Sequence, residues 1–340
     1  MKIVKLLAFS ATLFLTACQQ PPAEVQKFSG AAQGTTYHIS YWTGQNTDAA
    51  AIKKSTDDEF ARLDKVLSNY RPDSLIEQFN AVKSTDPQAV SGEIVELIIQ
   101  ARVVSEASNG CYDLTINPLF KLWGFKGDKL TPPDAATLKA TLQQVGFKQL
   151  EITDAEHLRK LNPNLTVDVS SIAQGYSVKR IASLLEQQGI NDYLVEIGGE
   201  LQTRGKKPDG EPWRVALEKP VSEQRTMQKV VTINRSEPIA IMTSGSYRHY
   251  FDVDGKRYSH ILDATVGVPV THNTVSVTVI DDDPTKADAW STALMCLGRE
   301  AGLAAANKAG IAALFIEHQG EAFNEFSSTA LTSLSTITIK

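Results

Sequence analysis

The stretch Tyr193-Leu194-Val195-Glu196-Ile197-Gly198-Gly199-Glu200 places a strand-like run directly before two glycines. Turns of this kind join neighbouring antiparallel strands, because glycine adopts the backbone angles that a tight turn requires. The paired glycines also allow a second interpretation, since a backbone without side chains lets a ligand approach closely. The stretch therefore predicts a hairpin, which either serves the fold alone or lies at a ligand site.

Strand-like segments dominate the second half of the chain around this stretch. Alternation and β-branched residues predict further strands at 213–218, 229–234, 239–243, 247–253, 274–280 and 311–317. Asp254-Gly255 is a hairpin signal, and Gln319-Gly320 indicates a turn after the last of these strands. Because strand follows strand across short turns, we expect largely antiparallel sheets and not a doubly wound parallel one.

Helical periodicity appears mainly outside this strand-rich region, together with an early strand at 35–41. The spacing of apolar residues predicts helices at 48–69, 91–109, 132–146, 171–188, 284–297 and 299–309. Gly110 and Gly189 stand where two of these helices are expected to end. The predicted fold class is α+β, with antiparallel sheets, flanking helices and a single bilobal unit over 29–340.

The composition is that of a globular protein. Of 340 residues, 42% are hydrophobic and 21% are charged, which argues against a disordered or coiled-coil chain. Lys and Arg number 34 and Asp and Glu number 39, so the net charge is −5. Without a basic excess to neutralise a phosphate backbone, nucleic acid is not an expected partner.

The N-terminus has the features of a secretory signal. Lys2 and Lys5 precede an apolar run at 6–15 that is too short for a permanent membrane span. Leu15-Thr16-Ala17-Cys18 then matches the bacterial lipobox, in which the cysteine is acylated. An ordinary cleaved signal with an incidental cysteine is the alternative.

The lipobox predicts three segments: a signal peptide at 1–17, a lipidated Cys18 with a tether at 18–28, and the folded unit from 29 onward. Acyl chains on Cys18 would anchor the protein stably to a membrane. Loss of Lys2 and Lys5 moves the net charge from −5 to −7.

Several common catalytic motifs are absent from the sequence. It has no Gly-x-Gly-x-x-Gly after the first strand, no Walker loop and no His-Glu-x-x-His. Its six histidines show no zinc-ligand spacing. Ser244 lies in Thr-Ser-Gly-Ser-Tyr, which lacks the frame of a nucleophile elbow, so a serine hydrolase is poorly supported.

Three polar segments remain as candidate sites, each with a simpler structural explanation. Residues 168–175 (Asp-Val-Ser-Ser-Ile-Ala-Gln-Gly) join a strand to a helix and would either cap that helix or receive a phosphate at its N-terminus. Asp288 and Thr292 share one helix face, as a solvated pair or as oxygen ligands for Mg²⁺. His260 lies near Asp263, as a structural residue or as a base.

These segments, in this order, resemble the ApbE family, the FAD:protein FMN transferases. The resemblance covers nearly all of 29–340, and a lipobox is also common among bacterial members. The matching segments are 34–35 (Gly-Thr), 68–74 (Ser-Asn-Tyr-Arg-Pro-Asp-Ser), 113–119 (Asp-Leu-Thr-Ile-Asn-Pro-Leu), 168–175, 196–200 (Glu-Ile-Gly-Gly-Glu), 243–246 (Thr-Ser-Gly-Ser), 260–263 (His-Ile-Leu-Asp) and 288–292 (Asp-Ala-Trp-Ser-Thr).

The resemblance implies an Mg²⁺-dependent enzyme that transfers FMN from FAD to a Ser or Thr hydroxyl of a target flavoprotein and releases AMP. It implies metal ligation by the Ser171 carbonyl and by the side chains of Asp288 and Thr292. It also implies contacts to FAD from Gln33, Tyr70, Cys111, Tyr112, Asp113, Asp168, Gln174, His260 and Leu262.

The sequence departs from the family pattern at three of these positions. Gln33 replaces a methionine, and Gln174 stands where Lys or Glu is common. Cys111 replaces a small residue, so a disulfide with Cys296 is conceivable, although the family does not suggest one. None of these changes affects the implied metal ligands.

Within this resemblance, Asp288 and His260 are the expected catalytic residues, with His260 as the base that activates the acceptor hydroxyl. Two alternatives remain: an FAD pyrophosphatase that yields FMN and AMP, and a non-catalytic FAD-binding lipoprotein. The family and the anchor suggest subunits of membrane electron-transport complexes as targets. The expected location is the periplasmic side of the inner membrane, with the outer membrane left open because Gln19 lacks the usual retention signal.

Overall fold

The computed structural model describes residues 24–125, 127, 130–220, 227–246, 250–253, 256–320 and 322–340. The signal peptide, Cys18 and most of the predicted tether lie outside these residues. The helices are α1 (Ala49–Leu67), α2 (Leu75–Ala81), α3 (Gly92–Ala107), α4 (Asn117–Trp123), α5 (Ala135–Leu142), α6 (Ser170–Gln187), α7 (Pro284–Ala309) and α8 (Thr329–Thr332).

The strands follow the alternating, β-branched segments of the chain. They are β1 (Gln26–Ala32), β2 (Thr35–Trp42), β3 (Gln88–Ala89), β4 (Leu150–Asp154), β5 (His157–Lys160), β6 (Asp192–Ile197), β7 (Glu200–Arg204), β8 (Trp213–Glu218), β9 (Met227–Ile233), β10 (Ile239–Gly245), β11 (Tyr250–Val253), β12 (Lys256–Ser259), β13 (Leu262–Asp263), β14 (Val268–Pro269), β15 (Thr274–Asp281), β16 (Ala312–Gln319), β17 (Ala322–Ser327) and β18 (Ile337–Ile339).

The centre of the molecule is an eight-stranded sheet with the order β1-β2-β6-β7-β10-β15-β16-β17. Every pairing in it is antiparallel. The opening stretch forms the hairpin β6–β7, in which Gly198 and Gly199 have φ values of 60° and 105°. Both angles are positive, as a two-residue hairpin turn requires. The predicted α+β class with antiparallel sheets is confirmed.

Two cores lie on opposite faces of this sheet, because successive side chains of a strand alternate. On β10, Ala240 and Met242 pack against α1, α3, α6 and α7. Their neighbours Ile239 and Ile241 pack against a second, three-stranded sheet with the order β18-β9-β8. Among the described residues, no helix combines the length and the apolar character needed to span a membrane.

The structure corrects several predicted boundaries. Strand β1 begins at Gln26, so the folded unit starts before the predicted boundary at 29. Helix α5 is shorter than the predicted 132–146 because Asp134 caps it after the two prolines, and it ends at Leu142. The bounds of β7, the second strand of the predicted hairpin, were not predicted. The two predicted helices at 284–309 form α7, which breaks at Gly298 as expected. The predicted turn residues Asp254 and Gly255 lie outside the described residues.

Candidate active site

A cavity of about 330 Å³ opens where the large sheet meets the first turns of α6 and the N-terminal half of α7. Its lining combines chain segments that are far apart in sequence and that only the fold brings together. The predicted site residues found in this lining are Cys111, Tyr112, Asp113, Asp168, Ser171, Gln174, His260, Leu262, Asp288 and Thr292.

Asp288 is held in place by the contact between α6 and α7. Its Oδ2 accepts a hydrogen bond from the Gly175 N–H at 2.7 Å. Only glycine permits this approach, because a Cβ at Gly175 would lie 2.4 Å from the Pro284 carbonyl oxygen. In a regular helix the Gly175 N–H points to the Ser171 carbonyl. The Asp288 carboxylate and the Ser171 carbonyl therefore face the same small volume.

Thr292 lies one turn beyond Asp288 on α7, and a hydroxyl network fixes its side chain. Ser244 Oγ lies 3.1 Å from Thr292 Oγ1 and 2.8 Å from Ser291 Oγ. Ser291 in turn donates to the Asp288 carbonyl at 2.9 Å. Ser244 thus orients the Thr292 hydroxyl beside Asp288, which is a different role from that of a hydrolase nucleophile.

The cavity is acidic, and no Lys or Arg belongs to its described lining. Burial raises the pKa of Asp288 to about 7. Burial also raises the pKa of Glu200 well above its usual range, and the negative charge of Asp288 adds to this shift. A divalent cation would stabilise both charged carboxylates, and hard oxygen ligands suit Mg²⁺. The residues present therefore fit a magnesium ion.

The junction before α6 forms the opposite side of the cavity. Asp168 Oδ1 accepts hydrogen bonds from the Ser170 N–H at 3.0 Å and from the Ser170 hydroxyl at 2.6 Å. Asp168 thus orders the turn before α6, whereas the helix itself begins after Val169 without a side-chain capping bond, so the capping role that the sequence allowed is not observed. Further along α6, the Gln174 side chain donates a hydrogen bond to the Ile197 carbonyl at 2.5 Å. The amide nitrogen of Gln174 thereby occupies the space that a Cβ at Gly198 would need. The glycine turn is therefore both a hairpin and part of the cavity wall.

Cys111 and Cys296 form a disulfide in the wall of the cavity, with their Cα atoms 6.1 Å apart. The sequence left this disulfide conceivable although the family does not suggest one, and it is present because the fold places the two cysteines side by side. The disulfide ties the segment that carries Tyr112 to α7. The Tyr112 phenol lies 3.4 Å from Ser171 Oγ, and burial raises its pKa, so it remains protonated.

Asp113 lines the cavity, but its carboxylate serves the surrounding loop. It accepts hydrogen bonds from the N–H and hydroxyl of Thr115 and from the Phe147 N–H, at 2.7 to 2.9 Å. Burial raises its pKa. His260 lies in the lining, whereas the nearby Asp263 carboxylate accepts hydrogen bonds from Thr265.

Two predicted FAD contacts, Gln33 and Tyr70, are not part of the cavity lining. Gln33 lies in the β1–β2 turn and donates to the Ser177 hydroxyl at 2.8 Å, one turn of α6 beyond Gln174. Tyr70 lies between α1 and α2 and is 81% exposed. Its neighbour Asn69 accepts a hydrogen bond from the Val169 N–H, which places Tyr70 beside the Asp168 junction.

The sequence did not assign Glu200 or Ser244 to the metal site. Glu200 accepts a hydrogen bond from the Thr243 N–H at 3.0 Å and shares the cavity with Asp288. Its only signal in the sequence was a carboxylate directly after two glycines, a pattern that also occurs in simple hairpins. Ser244 lacked a signal because its partners are 47 and 48 residues away in the chain.

Comparison with protein families matches residues 33–315 to the ApbE family. The chain belongs to the ApbE family. It is 38% identical to the FAD:protein FMN transferase of Vibrio cholerae over 331 residues, which cover 96% of this chain and 97% of that protein. It is 36% identical to the protein of the same name from Escherichia coli over 338 residues, 96% of this chain and 95% of that protein.

Solved ApbE structures agree with the fold. The apo form of the flavinyl transferase ApbE from Pseudomonas stutzeri superposes with a TM-score of 0.84 at 39% identity, covering 92% of this chain and 97% of that one. The flavin transferase ApbE from Vibrio cholerae gives a TM-score of 0.82 at 38% identity, covering 92% and 99%. The ApbE resemblance inferred from the sequence is confirmed.

Proposed function

We propose that this protein is an Mg²⁺-dependent FAD:protein FMN transferase. It moves the FMN half of FAD onto a Ser or Thr hydroxyl of a target flavoprotein and releases AMP. One observation carries the proposal: the cavity gathers Asp288, Thr292 and the Ser171 carbonyl at a helix N-terminus, while its described lining holds no Lys or Arg. A pyrophosphate can enter such an acidic cavity only together with a cation.

The chain's own residues supply the positioning. Asp288, Thr292 and the Ser171 carbonyl would hold Mg²⁺, which when bound neutralises phosphate charge and stabilises the departing AMP. The N-terminus of α6 presents backbone amides to the phosphates. The rest of FAD would be held by Gln33, by Tyr70 and by four further segments. These are Cys111–Asp113, which includes Tyr112, and the segments around Asp168, Gln174 and His260–Leu262.

The transfer step needs a base for the acceptor hydroxyl. The hydroxyl oxygen forms a new bond to the phosphorus of the FMN half, and the pyrophosphate bond breaks with its electron pair leaving on AMP. The hydroxyl proton passes to His260, because an imidazole is the side chain best suited to general-base catalysis near neutral pH. If water replaces the hydroxyl, the same site yields FMN and AMP, which is the pyrophosphatase alternative.

A transfer assay tests the function. The probe is the soluble acceptor domain of a flavoprotein that carries FMN covalently on a threonine, purified without its flavin and incubated with FAD, Mg²⁺ and this protein. We expect Mg²⁺-dependent covalent fluorescence on the acceptor and none with Asp288→Ala. AMP without a labelled acceptor would indicate the pyrophosphatase, and intact bound FAD would indicate a storage protein.

His260 has its own test. His260→Ala should slow transfer by about a hundredfold, the usual contribution of a general base, while FAD binding changes little. The control is His157→Ala, on the surface hairpin β4–β5, where the imidazole pairs with Asp154. Equal losses in transfer and in FAD affinity would assign His260 to binding alone.

We also propose that Cys18 carries a lipid anchor and that the protein faces the periplasm, most simply at the inner membrane. The Cys111–Cys296 disulfide supports this location, since disulfides persist in oxidising compartments. The expected targets are flavoprotein subunits of membrane electron-transport complexes. An anchor in the same membrane would bring enzyme and target together.

A further inference from the structure

A second cavity, of about 410 Å³, lies on the face of the large sheet opposite to α6 and α7. On β10, Met242 belongs to the helix-side core, while its neighbour Ile241 belongs to the other core and lines this cavity. The facing wall consists of residues 215–218 of β8. We call this cavity the β8 groove.

The β8 groove adjoins the active-site cavity. Gly198, Glu200 and Thr243 line both. The divide between them includes the two-glycine turn, and a Cβ at Gly199 would meet no atom within 4 Å. A chain lying in the groove can therefore direct a side chain past this turn toward the site where FAD is expected.

The groove meets β8 along its backbone edge. Successive residues of a strand point to opposite faces, yet four consecutive residues, 215–218, line the groove. Within the described part of the chain, β8 pairs with β9 on one side and with no strand on the other. On the outer side of such an edge strand, alternate residues present backbone N–H and C=O groups that can form hydrogen bonds with another extended chain. This arrangement is used in β-strand addition.

We propose that the β8 groove binds an extended segment of the acceptor protein, which pairs with the edge of β8 and delivers its Ser or Thr hydroxyl to the active site. The proposal rests on the transferase function and names its macromolecular substrate site. The bond changes are those of FMN transfer: the hydroxyl oxygen bonds to phosphorus, AMP leaves with the electron pair, and the proton passes to the base. Backbone pairing explains how one groove can accept a flexible segment of another protein.

The proposal is tested by filling the groove with bulky side chains. The full-length protein is used, kept in solution by detergent. Ala216→Trp fills the groove from β8, and His38→Trp fills it from the exposed face of β2. Arg214→Trp is the matched control, since Arg214 lies on the same face of β8, two residues before Ala216, and does not line the groove. The probe is the acceptor domain of the transfer assay.

Both groove variants should lower kcat/KM for the acceptor by at least about tenfold, or 1.4 kcal/mol. FAD binding and AMP release without acceptor should stay within about twofold of the unaltered protein, because these need only the active-site cavity. Transfer by both groove variants at the rate of Arg214→Trp would overturn the proposal. The two variants change opposite walls of the groove, so if one of them misfolds the other still tests the proposal.

A peptide experiment tests the pairing itself. A peptide that spans the acceptor threonine is compared with the same peptide N-methylated at alternate residues, in both phases of alternation. We expect one methylated phase to lose acceptance, because its N–H groups can no longer pair with β8. Equal acceptance of all three peptides would overturn strand addition. If the unaltered protein transfers FMN to no acceptor while it still hydrolyses FAD, the transferase function itself fails, and this proposal with it.

Discussion

Asp288 shows how a single residue depends on its surroundings. The carboxylate is buried, receives the Gly175 N–H, and shares its cavity with the buried carboxyl of Glu200. Without a cation these groups oppose each other's ionisation, so the site is electrostatically unfavourable until it is filled. That arrangement would favour binding of the proposed cation at the expense of the metal-free fold.

Because ionisation of Asp288 is unfavourable in the fold, the free energy of unfolding of the metal-free protein should depend on pH. An unfolded Asp ionises near its ordinary pKa of 3.8, whereas folded Asp288 holds its proton to about pH 7. Between these values the folded state binds more protons, so the free energy of unfolding falls as pH rises, by up to about 1.4 kcal/mol per pH unit. Asp288→Asn should reduce this slope.

Urea unfolding with a chelator at several pH values between 4 and 8 measures the slope. Asp58→Asn is the control, because Asp58 forms an exposed pair with Lys54 and contributes little. Glu200 should leave part of the slope in place, since its pKa is also raised. An unchanged slope in Asp288→Asn would contradict the burial argument.

At the scale of elements, the contact between α6 and α7 builds the proposed metal site. Gly175 lets the helices approach until Pro284 and Asp288 occupy the space of a side chain. The break at Gly298 serves a similar purpose, since His272 fills the position of a Cβ there. Each glycine stands where a neighbouring element comes close to the backbone.

Gly175→Ala should therefore separate the two helices. The new methyl group would overlap the Pro284 carbonyl, at a cost of about 1–3 kcal/mol in the free energy of unfolding. The displaced Asp288 should also weaken Mg²⁺ binding. Denaturant unfolding and Mg²⁺ titration measure the two effects. Gly44→Ala is the control because a Cβ there meets no atom within 4 Å, and it should change neither quantity.

The disulfide links another pair of elements, the segment after α3 and the helix α7. It closes a loop with a sequence separation of 185 residues, so its loss should cost roughly 2–5 kcal/mol. We expect a reductant to lower the stability of the unaltered protein and to leave the double variant Cys111→Ser with Cys296→Ser unchanged. Urea unfolding with and without a dithiol measures this. Equal sensitivity of both proteins would show that the bond contributes nothing.

At the scale of the whole molecule, the proposed anchor would act together with the folded unit. The first strand begins at Gln26, so few residues separate the proposed lipid on Cys18 from the sheet. Such a short connection would keep the folded unit close to the membrane surface. Loss of residues 1–17 would leave a charge of −7, which suits the proposed attachment by lipid and not by attraction to anionic headgroups.

Cys18→Ser should release the protein from the membrane. A single residue carries the proposed acyl chains, and no described helix could replace them as an anchor. Fractionation should place the unaltered protein with membranes and the variant in the soluble fraction, while both keep the transfer activity in vitro. Retention of Cys18→Ser in the membrane fraction would show that another contact anchors the chain.

The sequence predicted the strands and helices well because their signals are local. The alternation in 193–197 and 274–280, the helical spacing in 171–188 and the glycine at 298 each act within a few residues. Predictions were less accurate at boundaries, where a cap such as Asp134 or a pairing partner decides the end. The extent of strand β7 was missed because its burial depends on two neighbouring strands and not on its own pattern.

The sequence alone determined the α+β class and the ordered set of polar segments that identifies the ApbE family. It also predicted the signal peptide and the lipidated cysteine. Tertiary structure decided what those segments do together. It placed Glu200 beside Asp288, Ser244 beside Thr292, and Cys111 against Cys296. These contacts join positions tens to hundreds of residues apart, and no local pattern encodes a distance between such positions. Strand pairing and helix packing bring them together, because burial of the two cores fixes the register of the sheet.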